Sequence, residues 1–174
     1  MTRLVPTGEM TLGPFFPREF GHGANDLVGE KSVEGEIIEI AGRVVQGDGA
    51  PLDNAILEIW QASANGRFDD SAFFGWGRAA TDANGMYRFR TVRPGAYAGR
   101  APHVNFLILF SGLMRQLQTV MFFEGDKRNE QDPVLNAVLP SPLRKRLVAA
   151  SEKKNVYTFD IRLRGEGETP FFDD

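Results

Sequence analysis

The chain has 174 residues, of which 42% are apolar and 25% charged. That length and balance predict one globular domain and exclude disorder along the whole chain. A formal charge of −3 gives no basic footprint for nucleic acid, and zero cysteines remove disulfides, thiolate metal sites and a cysteine nucleophile.

Residues 1–36 carry no period and are read as an N-terminal arm. Within it, Thr11-Leu-Gly-Pro-Phe-Phe-Pro17 sets bulky apolar side chains among two prolines and a glycine. The prolines forbid a regular helix or an interior strand there. So apolar a segment is expected to lie on a hydrophobic surface of its own or another chain. From Glu36 a period of two begins. Ile38, Ile40, Gly42 and Val44 alternate with Glu39, Ala41 and Arg43, which predicts a half-buried strand. Residues 47–51 close it as a turn. Ala55–Gln61 is a second strand. Asp82-Ala-Asn-Gly85 is a turn in which Asn-Gly supports positive φ. A strand follows over Met86–Val92, with Tyr87, Phe89 and Thr91 on one face. Residues 93–96 turn again. His103–Phe110 and Gln116–Phe123 are expected to pair around a Ser111-Gly112 loop. One helix is predicted over Leu143–Ala150, with Ser141 as N-cap and Pro142 at the first helical position. Val156–Leu163 is the last strand.

Seven or so short strands separated by turns indicate an all-β fold, an antiparallel β-sandwich over residues 37–174. With the arm of residues 1–36 it makes a single domain. No run of about 18 apolar residues could span a membrane, and Met1–Met10 lacks the apolar stretch of a secretion signal. Both point to a soluble, cytoplasmic protein that binds neither membrane nor nucleic acid.

Little conventional chemistry is available. His22 and His103 are the two histidines, so a His/Cys zinc site is starved of ligands. A nucleophile-elbow serine, a dinucleotide fingerprint and a phosphate loop are all missing. Asp69-Asp70 and Asp173-Asp174 read as solvated surface pairs. His103 and Asn105 share one strand face, because side chains alternate. A His-x-His there would be a metal-binding pair. His-x-Asn is not, since asparagine is a poor ligand for a ferric ion. By itself His103 reads as a histidine held by hydrogen bonds at a strand end.

Three blocks are recognisable together. One is Leu57-Glu-Ile-Trp-Gln-Ala-Ser-Ala-Asn-Gly-Arg-Phe68. The next runs from Gly77-Arg-Ala-Ala-Thr-Asp-Ala-Asn-Gly-Met-Tyr87 to Arg93-Pro-Gly-Ala-Tyr97. The third is Arg100-Ala-Pro-His-Val-Asn-Phe106 with Thr119-Val-Met-Phe-Phe-Glu-Gly-Asp126. They resemble the intradiol ring-cleaving dioxygenases, and among these the α-subunits of two-chain members that act on protocatechuate. The match runs over almost the whole chain, including the end Phe159–Phe172. The resemblance implies an intradiol-dioxygenase or prealbumin-like β-sandwich with long loops and one short helix. It also implies a reaction in which both atoms of O₂ enter a catechol, cleaved between its hydroxyl-bearing carbons.

In that family the β-subunit holds ferric iron with two tyrosines and two histidines. The matching positions here are Phe68, Tyr97, His103 and Asn105. Two of the four donors are gone, so the resemblance implies that iron belongs to a partner β-subunit and not to this chain. It further implies αβ units in a higher oligomer, with a large, apolar, pseudo-symmetric interface. The arm's Thr11-Leu-Gly13-Pro14 corresponds to a motif that walls the partner's iron pocket. Gly13 would allow close backbone approach, Pro14 a rigid apolar edge and Thr11 a hydroxyl. Val120 stands where many α-subunits carry an arginine for the ring carboxylate. Arg115, a group of the β-subunit, or a different ring substituent would then account for specificity. Two rival readings remain beside this one. One is a stand-alone enzyme with iron on Tyr97, His103, His22 and Tyr157. The other is a β-sandwich binding or structural module without an enzymatic role.

Overall fold

The computed structural model describes residues 24–30, 32–113 and 115–172. Thr11, Gly13, Pro14 and His22 lie outside the described residues. Nine strands form: β1 Ile37–Val45, β2 Ile56–Trp60, β3 Trp76–Ala80, β4 Met86–Val92, β5 His103–Leu109, β6 Leu117–Phe123, β7 Val148–Lys153, β8 Val156–Thr158 and β9 Ile161–Arg162. They join in one curled sheet, ordered β3-β2-β5-β6-β7-β8-β1-β4, with β9 beside β1. The expected all-β architecture is therefore present. Most ladders are antiparallel, and the pairs β1–β8, β1–β9 and β6–β7 are parallel.

The period-two pattern sets the core. On β1, Ile38, Ile40 and Val44 are buried, as are Tyr87 and Phe89 on β4. They pack against Leu57, Ile59, Val104, Phe106, Ile108 and Met121 from the other end of the sheet. Each such side chain contributes roughly 1.5–3 kcal/mol by leaving water. The rings of Tyr87, Phe89, Phe106 and Phe159 meet at tilted or edge-on angles, and the Phe106–Phe159 centroids are 5.3 Å apart. Gly42 sits where the core is tightest. A Cβ there would collide with the Phe159 carbonyl and the Tyr87 hydroxyl, which are hydrogen-bonded to each other.

A short segment seals the two ends of the sheet. The Ala24 carbonyl accepts from Arg78 N–H on β3. One residue on, the Asn25 carbonyl accepts from Arg90 N–H, and Leu27 N–H donates to the Arg90 carbonyl on β4. The Asp26 carboxylate grips the Arg90 guanidinium at 3.0 Å. Both exposed strand edges are thus covered, which removes templates for non-native pairing.

Two expectations change. The helix expected over Leu143–Ala150 is a 3₁₀ turn, Ser141–Leu147, that runs straight into β7. Ser141 makes no cap; Pro140 holds that position without a side-chain bond. The ladder Phe122↔Val148 and Phe123↔Ala149 takes the backbone instead, so sheet pairing overrides local helix preference. The regular α-helix, α1, is Pro133–Ala137, capped by Asp132. The last strand breaks in two, because the Asp160 carboxylate takes Arg43 N–H and interrupts pairing with β1 between β8 and β9. In the Asp82–Gly85 turn the positive φ expected of Asn-Gly is present, at Gly85 (74°).

Candidate functional site

The site forms where two loops converge on the start of β5. Phe68 comes from the β2–β3 connection and Tyr97 from the β4–β5 connection, while His103 opens β5. The Phe68 ring stands edge-on to Tyr97 with centroids 4.9 Å apart, and Tyr97 lies 5.2 Å from the His103 ring. His103 is 2% exposed and Phe68 is 56% exposed, so the cluster runs from interior to surface.

Proton positions follow from the partners. His103 Nδ1 is 2.7 Å from the Ala101 carbonyl oxygen, which only accepts, so Nδ1 carries the proton. Nε2 of the neutral ring then accepts from the Tyr97 hydroxyl at 3.1 Å. Burial pushes the Tyr97 phenol up and the His103 imidazole down. Both groups are neutral near pH 7.

The supporting residues were not singled out by sequence. The Asp132 side chain is fully buried and accepts four bonds, from Arg100 Nε, Ala101 N, Val134 N and Leu135 N, at 2.8–2.9 Å. It therefore caps α1 and fixes the Arg100–Ala101 backbone whose carbonyl orients His103. Burial opposes ionisation of its carboxyl, but the bonds from Leu135, Arg100 and Ala101 outweigh it and hold the carboxyl below the usual range. An aspartate directly before Pro133 was the available signal, being an N-cap followed by a proline at the first helical position.

Asn105 shares the face of His103. Across the ladder it faces Val120, and its amide N lies 3.4 Å from the Trp60 carbonyl oxygen. Val120 is buried in a second apolar cluster with Phe122, Leu135, Val138 and Leu147. Arg115 is not brought to this cluster. It precedes Leu117, which pairs with Ile108 at the far end of the β5–β6 hairpin, whereas His103 pairs with Phe122. The Tyr157 hydroxyl accepts from Arg93.

The donor set decides what the cluster can hold. With bonds of about 2.1 Å, two ligands of one metal sit about 3 Å apart, so Tyr97 Oη and His103 Nε2 keep ligand spacing. Phe68 supplies no donor and Asn105 supplies a weak amide, so a ferric ion would find one phenol and one imidazole. Among the described residues no group of three His, Asp or Glu gathers at metal-binding spacing, and no helix is long and apolar enough to cross a membrane.

A family model described as "Dioxygenase" matches residues 12–165. The chain belongs to the intradiol dioxygenase family. It is 35% identical to the protocatechuate 3,4-dioxygenase alpha chain of Burkholderia cepacia, over 99% of this chain and 100% of that protein. The alpha chain from Pseudomonas putida is 38% identical, over 80% of this chain and 77% of that protein. The beta chain of the Burkholderia cepacia enzyme is also similar, at 37% over 78% of this chain and 68% of that protein. Among solved structures, the dioxygenase domain of a carbohydrate-binding fusion from Streptomyces sp. SirexAA-E superimposes with a TM-score of 0.68. It is 26% identical, over 92% of this chain and 99% of that one. This chain is thus similar in sequence to both the alpha and the beta chain of one enzyme.

Proposed function

We propose that this chain is the α subunit of a protocatechuate 3,4-dioxygenase and works beside a β subunit in a higher oligomer of αβ units. The reaction joins protocatechuate and O₂ into 3-carboxy-cis,cis-muconate. Ferric iron, bound by the β subunit, supplies the oxidation–reduction chemistry and the affinity for the catechol oxygens. The observation that carries the division of labour is the donor deficit at Phe68 and Asn105, beside a tyrosine and a histidine that still keep ligand spacing. A domain that offers two donors where four are needed contributes surface and assembly.

On this reading the arm is the chain's contribution to chemistry. Thr11, Gly13 and Pro14 wall the partner's pocket, exclude water and orient the flat ring. Val120 cannot meet the ring carboxylate, because it is buried among apolar side chains. Arg115 or a β-subunit group takes that role. On this reading the substrate is a catechol whose ring substituent is met by one of those groups or differs from a carboxylate, and the site of action is the cytoplasm.

The test is co-production with the β chain of the same source. The complex should contain one ferric ion per αβ unit and turn over protocatechuate, while this chain alone should do neither. Within the complex, Gly13→Trp should lower kcat/KM about tenfold or more with iron content unchanged. Stoichiometric iron on the isolated chain, with catechol cleavage, overturns the reading.

A further inference from the structure

We propose that the pocket at the end of the sheet away from His103 is a binding site for a straight-chain aliphatic monocarboxylate. The inference goes beyond the α-subunit reading and does not rest on it. The pocket encloses about 390 Å³, within the range of ligand sites, about 300–1,000 Å³. Leu117 lines it and pairs with Ile108, whereas His103 pairs with Phe122 at the other end of the β5–β6 ladder.

One wall is apolar and comes from segments that only the fold brings together. Phe110 and Leu113 belong to the β5–β6 connection, Leu117 begins β6 and Leu163 follows β9. β6 and β9 are not neighbours in the sheet. Leu117 and Leu163 nevertheless both pack on the central core, so the pocket lies where the interior of the curled sheet opens to solvent. Ligand sites recur at such mouths in closed β folds. No side chain of this wall carries a strong donor or acceptor, so it covers hydrocarbon. With one ring among three leucines it lacks the paired flat faces that select an aromatic ligand, and it suits a flexible chain.

The other wall is polar, formed by residues 46–48 and Arg164. Much of it is already engaged. The Gln46 and Gly47 carbonyls accept from Arg162 Nη1 at 3.3 and 2.9 Å. The Asp48 carboxylate accepts from Ala50 N–H at 3.0 Å within its own turn. Arg164 is different. It is exposed, and its guanidinium meets no acceptor among the described residues. An acidic head group supplies oxygens in the fork geometry that arginine prefers. Asp48, on the same wall, repels a second acidic group, which limits the ligand to one.

Gly47 lets that cation lie where it does. A Cβ at Gly47 would stand 2.8 Å from Arg164 Cγ and 3.1 Å from its Nε, so the arginine stem lies close against the turn only because no side chain intervenes. Leu163 N–H donates to the Val45 carbonyl at 3.0 Å, which ties this segment to the end of β1. Adjacent residues thus supply the two halves of the site, Leu163 the apolar wall and Arg164 the charge. A hydrocarbon body with one acidic end matches both.

The test is isothermal titration calorimetry of octanoate and hexanoate with the purified full chain in its native assembly, and 1-octanol as the neutral counterpart. Arg164 is exposed and Leu113 lies outside the core cluster, so Arg164→Gln and Leu113→Asp should both fold. We expect saturable octanoate binding. Hexanoate, two methylenes shorter, should bind about tenfold more weakly, and Leu113→Asp should weaken octanoate at least as much. Arg164→Gln should weaken octanoate about threefold or more and leave the weaker binding of 1-octanol unchanged. Absence of saturable octanoate binding, hexanoate or 1-octanol binding as tightly as octanoate, or an octanoate affinity that persists in either variant would overturn the proposal. A site elsewhere in the assembly gives the last result.

Discussion

The Tyr97 hydroxyl donates to Nε2 of His103 across 3.1 Å, and His103 Nδ1 donates to the Ala101 carbonyl at 2.7 Å. Each nitrogen is thereby assigned one role. Because burial lowers the imidazole pKa from 6.5, His103 should be mostly neutral at pH 6.5, with the proton on Nδ1. The stability tied to its neutral form is complete above 6.5 and is lost as pH falls through the lower folded value. Nitrogen-15 spectra of the imidazole across pH 5–8 read both the tautomer and the midpoint. A midpoint at or above 6.5 contradicts this geometry.

Asp132 ties together Arg100, the Ala101 backbone and the start of α1. Asp132→Asn removes the negative charge and leaves the Arg100 cation without its partner. Breaking a buried pair of this kind costs about 3 kcal/mol, a fall of roughly 10 °C in Tm for a chain of this size. The carboxyl is held below 3.8 in the fold, so its contribution is present above 3.8 and disappears as pH falls through the folded value. The gap between the melting temperatures of the two proteins should be widest at pH 7 and should narrow as pH falls below 3.8.

Tyr87 is fully buried on β4, and its hydroxyl donates to the Phe159 carbonyl over Gly42. Tyr87→Phe leaves that carbonyl short of a donor and should cost about 1–2 kcal/mol by urea denaturation. Gly42→Ala should cost more, about 3 kcal/mol, since the new methyl meets backbone that cannot yield. If alanine is the milder change, the packing described over β1 is wrong.

Restoring the two missing donors should not restore catalysis. Phe68 is 56% exposed, and Asn105 faces buried Val120 and approaches the Trp60 carbonyl. A tyrosine and a histidine placed there would lack the neighbours that hold ligand atoms within about 0.5 Å of a productive position. Oxygen uptake with protocatechuate should therefore stay at background for the isolated double variant F68Y/N105H. Ring opening by that single chain would refute the expectation.

The strands that sequence reveals are those whose two faces differ. Ile38, Ile40 and Val44, or Tyr87 and Phe89, alternate with polar residues because one side of the sheet meets the core and the other meets water. β3, Trp76–Ala80, has no alternation of apolar and polar residues to mark it as a strand. Gly77 is required there because a Cβ would strike Leu27 and the Ala24 carbonyl, over fifty positions away in sequence. β7 was hidden behind good helix formers, since its ladder to Phe122 and Phe123 is a long-range pairing.

Residue identity alone determined that Phe68 and Asn105 cannot donate to a metal as tyrosine and histidine do, because donor atoms are a property of the side chain and need no coordinates. It also placed Tyr97 and His103 in neighbouring blocks, six positions apart. The fold decided that their donor atoms lie 3.1 Å apart and that Asp132 holds the turn between them. Those are distances between groups far apart along the chain, set by how the sheet curls and closes, and no local pattern encodes them.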